Sequence, residues 1–97
     1  MADADVRKLR WLDRIQELGE ILPRAHRSLA ITKEAGRRNY MAAWEAMYAG
    51  GETSLTVIDK KAKQASLDFD LLAIKDEGEI RGLESELDIL KFLIIHM

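Results

Sequence analysis

Ile89–Met97 reads ILKFLIIHM. At roughly 100° of turn per residue, Leu90 and Ile94 point one way on a helix, and Ile89, Phe92, Leu93 and Ile95 cover the rest of the circumference. A helix that is apolar all round is buried all round. A chain of 97 residues has little left with which to wrap its own end. The expectation is therefore that a second polypeptide, a copy or a target, covers this stretch.

Working outward, Ile80, Leu83, Leu87, Leu90 and Ile94 recur at alternating steps of three and four. Leu55, Ile58, Ala62, Ala65, Phe69 and Leu72 do the same. Both are heptad seams. Eight residues separate them, with Asp76 halfway. Either one helix continues through a stretch that relaxes the supercoil, or Asp76 caps a new helix with Gly78 loosening the join. Thr53, Ser54 and Thr56 are candidate caps for the first of these seams, and Thr56 with Asp59 makes a capping box.

Before them, Gly50-Gly51 is the clearest stop in the chain, because glycine accepts the left-handed conformation that closes a helix. Val6, Leu9, Leu12, Ile15, Leu18 and Leu22 predict a first helix, capped by Asp3 or Asp5. Pro23 ends or kinks it. A second segment carries a dense face of Tyr40, Met41, Trp44, Met47 and Tyr48. The predicted helices are 4–22, 24–49, 54–75 and 77–96, the last two separate or continuous. A helix of about 42 residues, roughly 63 Å long, needs a long partner. The first two segments laid end to end supply one. The fold class is all-α: a long antiparallel helical hairpin with a proline-kinked first arm, packing as a helical bundle in a homo-oligomer, a dimer first.

Composition agrees with this. Hydrophobic residues make up 47% and charged residues 33%, a mixture that suits amphipathic helices rather than disorder. Cysteine is absent, so there is no disulfide framework or thiol chemistry. MADADVRKLR has no apolar signal core, and the apolar tail is about half the length of a membrane span. The expected setting is cytoplasmic, without a membrane span. The net charge of −2 hides an asymmetry: residues 1–38 hold nine Lys/Arg and six Asp/Glu, and residues 64–97 three and eight. Such ends attract if the chain doubles back or copies pack antiparallel.

Motifs that carry chemistry fail on inspection. Asp68, Asp70 and Glu79 fit three positions of an EF-hand loop, but Leu72 and Ala73 stand where a ligand and a glycine are required. His26 and His96 lack the Glu-x-x-His spacing of bundle metal sites. Ser28 is two residues from His26 and faces elsewhere on a helix. Gly50-Gly51 lacks the Lys and Ser/Thr of a phosphate loop. The reading is therefore no enzyme, no catalytic residue, no metal and no cofactor. A pocket uniting Glu17, Glu20 or Glu45 would reopen it.

The leading function is a non-enzymatic protein–protein interaction module of adaptor, chaperone or inhibitor type. Its oligomer or partner interface is assigned to Ile80, Leu83, Leu87, Leu90, Phe92, Leu93 and Ile94. A partner surface at the turn would use Trp44, Met47 and Tyr48, since aromatics and methionine are enriched at hot spots. The plainer reading of these three is a plug at the hairpin end. The alternative function is a small nucleic-acid-binding regulator. It would use Arg24, Arg27, Lys33, Arg37 and Arg38 with Lys60, Lys61 and Lys63, which a turn at Gly50-Gly51 brings near Arg38 and Asn39. The plainer reading there is a solvated face.

A cysteine-free hairpin of about a hundred residues with a tryptophan near its turn resembles the small secreted helical-hairpin proteins that carry Trp-x-Gly in the turn. The resemblance is one of architecture. This chain reads Trp44-Glu45-Ala46, and its last helix holds no Tyr-x-x-x-Asp/Glu signal, so that family's function is not carried over. Small helical phage or plasmid inhibitors and secretion chaperones share the composition without a distinguishing motif.

Overall fold

The computed structural model describes residues 3–96, so Met97 of the tail lies outside the described residues. Two helices make up the described residues: α1, Asp3–Ala49, and α2, Leu55–Ile95. There is no strand among the described residues. The fold is a long helical hairpin, all-α as its periodicity requires.

The expected boundary between 4–22 and 24–49 is not made. α1 runs through Pro23 without a break. Proline inside a helix costs about 3 kcal/mol and one backbone bond. Apolar positions on both sides of it offset that cost, with Leu18 fully buried and Leu29 nearly so. Arg24 adds a local link, its Nε donating to the Glu20 carbonyl at 3.3 Å. The segments 54–75 and 77–96 are likewise one helix, so Asp76 caps nothing.

Gly51 has φ of +93°. Its N–H donates to the Tyr48 carbonyl, and the Glu52 N–H reaches back to Met47, each at 3.1 Å. These are the two bonds of a Schellman motif, which needs a left-handed residue at this position. Ser54 caps α2, its Oγ accepting from the Val57 N–H at 3.4 Å. The Thr56–Asp59 box is not used, because Asp59 is engaged by Tyr40 and Lys63 instead.

Contacts within the chain cluster into two units, each built from both helices. The turn half is Ser28–Asp76. Its core on α2 is Ile58, Ala62, Ser66 and Ala73, with Phe69 half-buried. Two expected seam residues, Leu55 and Leu72, are 66% and 45% exposed, and Ala65 is exposed too. The buried line runs one residue later, at Ser66 and Ala73. The reason lies on α1. A Cβ built on Gly36 would stand 3.2 Å from Phe69 Cβ and from Asp70 Oδ1. Helices that approach this closely accept Ser and Ala between them, and the bulkier Leu72 turns outward. Ser66 keeps its hydroxyl satisfied by donating to Asp70 Oδ2 at 2.8 Å, as a buried polar group must.

The tail half comprises residues 1–27 and 77–97. Here the core is aliphatic: Leu18 on α1, and Ile80 and Leu90 on α2. Trp11, Ile15, Ile21 and Leu22 are half-buried, as are Leu83, Leu87 and Ile94. Arg14 clamps Glu86 across the pair with both Nε and Nη2, and His26 Nε2 lies 3.1 Å from Glu84 Oε1.

Candidate interaction surface

The tail of α2 is half wrapped. α1 is the other described element of this unit; Leu90 is buried and Ile94 half-buried. Ile89, Phe92 and Ile95 remain 59%, 59% and 76% exposed, and Leu93 36%. The Phe92 and His96 rings meet tilted at 42°, with centroids 4.2 Å apart. On α1 in the same unit, Leu9 and Leu12 are 49% and 44% exposed. With Asp5 and Lys8 they line a shallow apolar depression. Of the seven residues assigned to an interface by sequence, Ile80 and Leu90 are therefore buried inside the chain. Leu83, Leu87 and Ile94 are half-buried there, and Phe92 and Leu93 face outward. Ile89 and Ile95 belong with those two. The sequence signal for them is the all-round apolarity of the tail.

At the turn, Trp44 and Met47 are half-buried while Tyr48 is 65% exposed. The Trp44 and Tyr48 rings stack at 5.5 Å and 17°, so the pair presents one aromatic surface to solvent and the other to the hairpin. The turn half also exposes Leu67, Leu71 and Ile74, spaced as one side of a helix.

The basic residues are distributed differently from the sequence expectation. Lys33, Arg37 and Lys63 line one shallow groove with Gly36, Tyr40, Ser66 and Asp70. Arg38 turns away to Glu34, which also accepts two bonds from Arg37 at 2.9 and 2.7 Å. Those guanidinium groups, Arg37 foremost, hold the Glu34 carboxyl down to about 2. Lys63 pairs with Asp59 at 2.9 Å. The Tyr40 hydroxyl donates to the same carboxylate at 2.6 Å, which raises the phenol pKa and lowers that of Asp59. Lys60 and Lys61 are exposed, and neither lines the groove. Arg24 and Arg27 belong to the tail half.

Glu17, Glu20 and Glu45 are each exposed, and Glu17 is bonded to Arg14. No group of three or more His, Cys, Asp or Glu side chains among the described residues is placed to hold a metal ion. No described helix is long and apolar enough to cross a membrane.

These features define a helical hairpin whose outward apolar side chains, rather than a polar cavity, are its distinguishing surface. Compared with protein-family models, curated proteins and solved structures, the chain gives no match.

Proposed function

We propose that this chain is a non-enzymatic helical interaction module of adaptor, chaperone or inhibitor type, which self-associates and grips a protein partner through apolar helix faces. One observation carries the reading: Ile89, Phe92, Leu93 and Ile95 stay exposed at the end of α2 after α1 has taken its share. Fully burying such a side chain is worth about 1.5–3 kcal/mol relative to leaving it exposed, and the exposed share of each, from 36% to 76%, sets how much of that a partner can gain. Leu9 and Leu12 of the same unit add further exposed apolar surface on α1. The chain works in this reading without cofactor or catalysis, in the cytoplasmic setting that its lack of cysteine suits.

The test is the replacement of Phe92 and Ile95 by glutamate. Neither is part of the buried core, so helix content by circular dichroism should hold while the mass by light scattering falls to one chain. A wild-type chain that scatters as a single copy at every concentration defeats the self-association.

The basic groove of the turn half supports nucleic-acid binding less well. Lys33, Arg37 and Lys63 do share it, but Glu34 and Asp59 already accept Arg37 and Lys63. A phosphate would have to displace those carboxylates. Salt-dependent gel shifts with random DNA and RNA test it, and no retardation at low salt removes it.

A further inference from the structure

The back of α2 in the tail half carries a second line of residues. Gly78, Gly82, Ser85, Ile89 and Phe92 step by four, three, four and three. Gly78, Ser85 and Phe92 stand two positions before Ile80, Leu87 and Ile94, and Gly82 and Ile89 one position before Leu83 and Leu90, so at about 100° per residue the line as a whole lies about 160° round the helix from the seam. All five are exposed, and none is charged. The line is small at one end and bulky at the other.

The two glycines have no use inside the chain. A Cβ added at Gly78 or Gly82 would meet nothing within 4 Å. Neither has a positive φ. Glycine in a helix interior nevertheless weakens the helix relative to alanine. Gly36 supplies the contrast, since a crossing helix occupies the space its missing side chain leaves.

We infer that this face takes the same face of a second copy, antiparallel, with the two-fold axis at Ser85. The inference rests on the self-association proposed above and assigns its geometry. An isologous pairing of this kind sets each patch against its own mirror position. Phe92 of one copy then lies over Gly78 of the other, and Ile89 over Gly82, so the bulky end of each line fills the notch of its neighbour. A parallel pairing sets glycine on glycine and phenylalanine on phenylalanine, and leaves one end hollow.

The flanking charges agree. Arg81, whose side chain is 79% exposed and lies 3.7 Å from Glu77 of its own chain, comes opposite Asp88 of the second copy. By symmetry the pair occurs twice. Glu86 approaches Glu86 of the second copy on the other flank, but each is already clamped by Arg14 of its own chain. The α1 helices are left on the outside of the assembly.

Two measurements on the full chain test this. Gly78→Ala with Gly82→Ala should raise the thermal midpoint at concentrations where the chain is a single copy, because both sites are open and alanine favours the helix. The same pair of changes should weaken association at least tenfold by sedimentation or light scattering. A merely local role for the glycines predicts the first effect without the second, and unchanged association overturns the proposal. The chain has no cysteine, so introduced ones report contacts cleanly. A mixture of Gly82→Cys and Ile89→Cys chains should oxidise to the mixed disulfide. Predominant self-disulfides of each variant mean a parallel pairing and overturn the proposal. So does a multimer with no cross-link, which leaves self-association itself standing on another face, such as Leu67, Leu71 and Ile74. A single-copy mass throughout overturns both.

Discussion

The two halves of this hairpin solve the same packing problem with different materials. In the turn half the buried line on α2 is Ile58, Ala62, Ser66 and Ala73, set against Gly36 of α1. Small residues let the helices come close, and polar side chains tie them: Tyr40 to Asp59, Ser66 to Asp70, and the Asn39 side chain to the Ala65 carbonyl at 3.4 Å. In the tail half the line is Ile80, Leu83, Leu87, Leu90 and Ile94, and bulk takes the place of proximity. The lesson concerns glycine. Gly36 is filled by the chain itself, whereas Gly78 and Gly82 are open, so the same residue type marks a filled contact in one half and open space in the other.

The largest effect that would break this picture comes from the fully buried side chains. Leu18→Ala in the tail half and Ile58→Ala in the turn half should each cost about 2–5 kcal/mol in denaturant unfolding, the range for large-to-small changes in a core. Leu90→Glu, which buries a charge against α1, should unfold the tail half rather than merely separate copies. Loss of helix by circular dichroism distinguishes that from Phe92→Glu, which should keep its helix.

A glycine comparison sharpens the contrast at smaller cost. Gly36→Leu forces a side chain against Phe69 Cβ, which is fixed to the backbone of α2, and should destabilise by about 1–3 kcal/mol. Gly19→Ala enters open space and should stabilise by about 0.5–1 kcal/mol. If both changes move the unfolding midpoint the same way, the close approach at Gly36 is not real.

The smallest effect is electrostatic. The carboxyl of Glu34 is held down to about 2, against 4.5 when unperturbed, and those of Asp59 and Glu86 are also lowered, chiefly by Tyr40 and Arg14 respectively. A carboxylate lowered in the folded state contributes stability that is complete above its unfolded value and disappears as pH falls through its folded one. The thermal midpoint should therefore decline as pH drops from 4.5 toward about 2, and the decline should shrink in high salt, since these pairs are exposed. Arg14→Gln should flatten part of it. A midpoint independent of pH across that window would show that the pairs contribute nothing.

Much of the fold was legible in the chain itself. The period is plainest at Ile80, Leu83 and Leu87, whose neighbours are charged or small, so one face stands out before the all-round apolar tail begins. Gly50-Gly51 stops α1 because nothing else there tolerates φ of +93°. The seam of the turn half was harder to read. Hydropathy favours Leu72 over Ala73 and Ala65 over Ser66, and the choice fell instead to the residues small enough for the close approach of the helices. Pro23 was misleading for a related reason. Its local cost is known from the residue alone, but the packing of Leu18 and Leu29 that offsets it belongs to α2 as much as to α1. The polar links were invisible for a third reason: Tyr40–Asp59 and Arg14–Glu86 join residues 19 and 72 positions apart, beyond any local pattern.

By itself, then, the sequence determined that the chain is helical, where it turns, and that its carboxyl end carries more apolar surface than one neighbouring helix can cover. Those properties follow from periodicity, from glycine's freedom at positive φ, and from the area of aliphatic side chains, all of which are local. Only the tertiary structure decided which residues of each helix face inward, which glycine is already filled, and which apolar side chains are left over. Those depend on the distance between two helices, and that distance is set by side chains far apart in the chain.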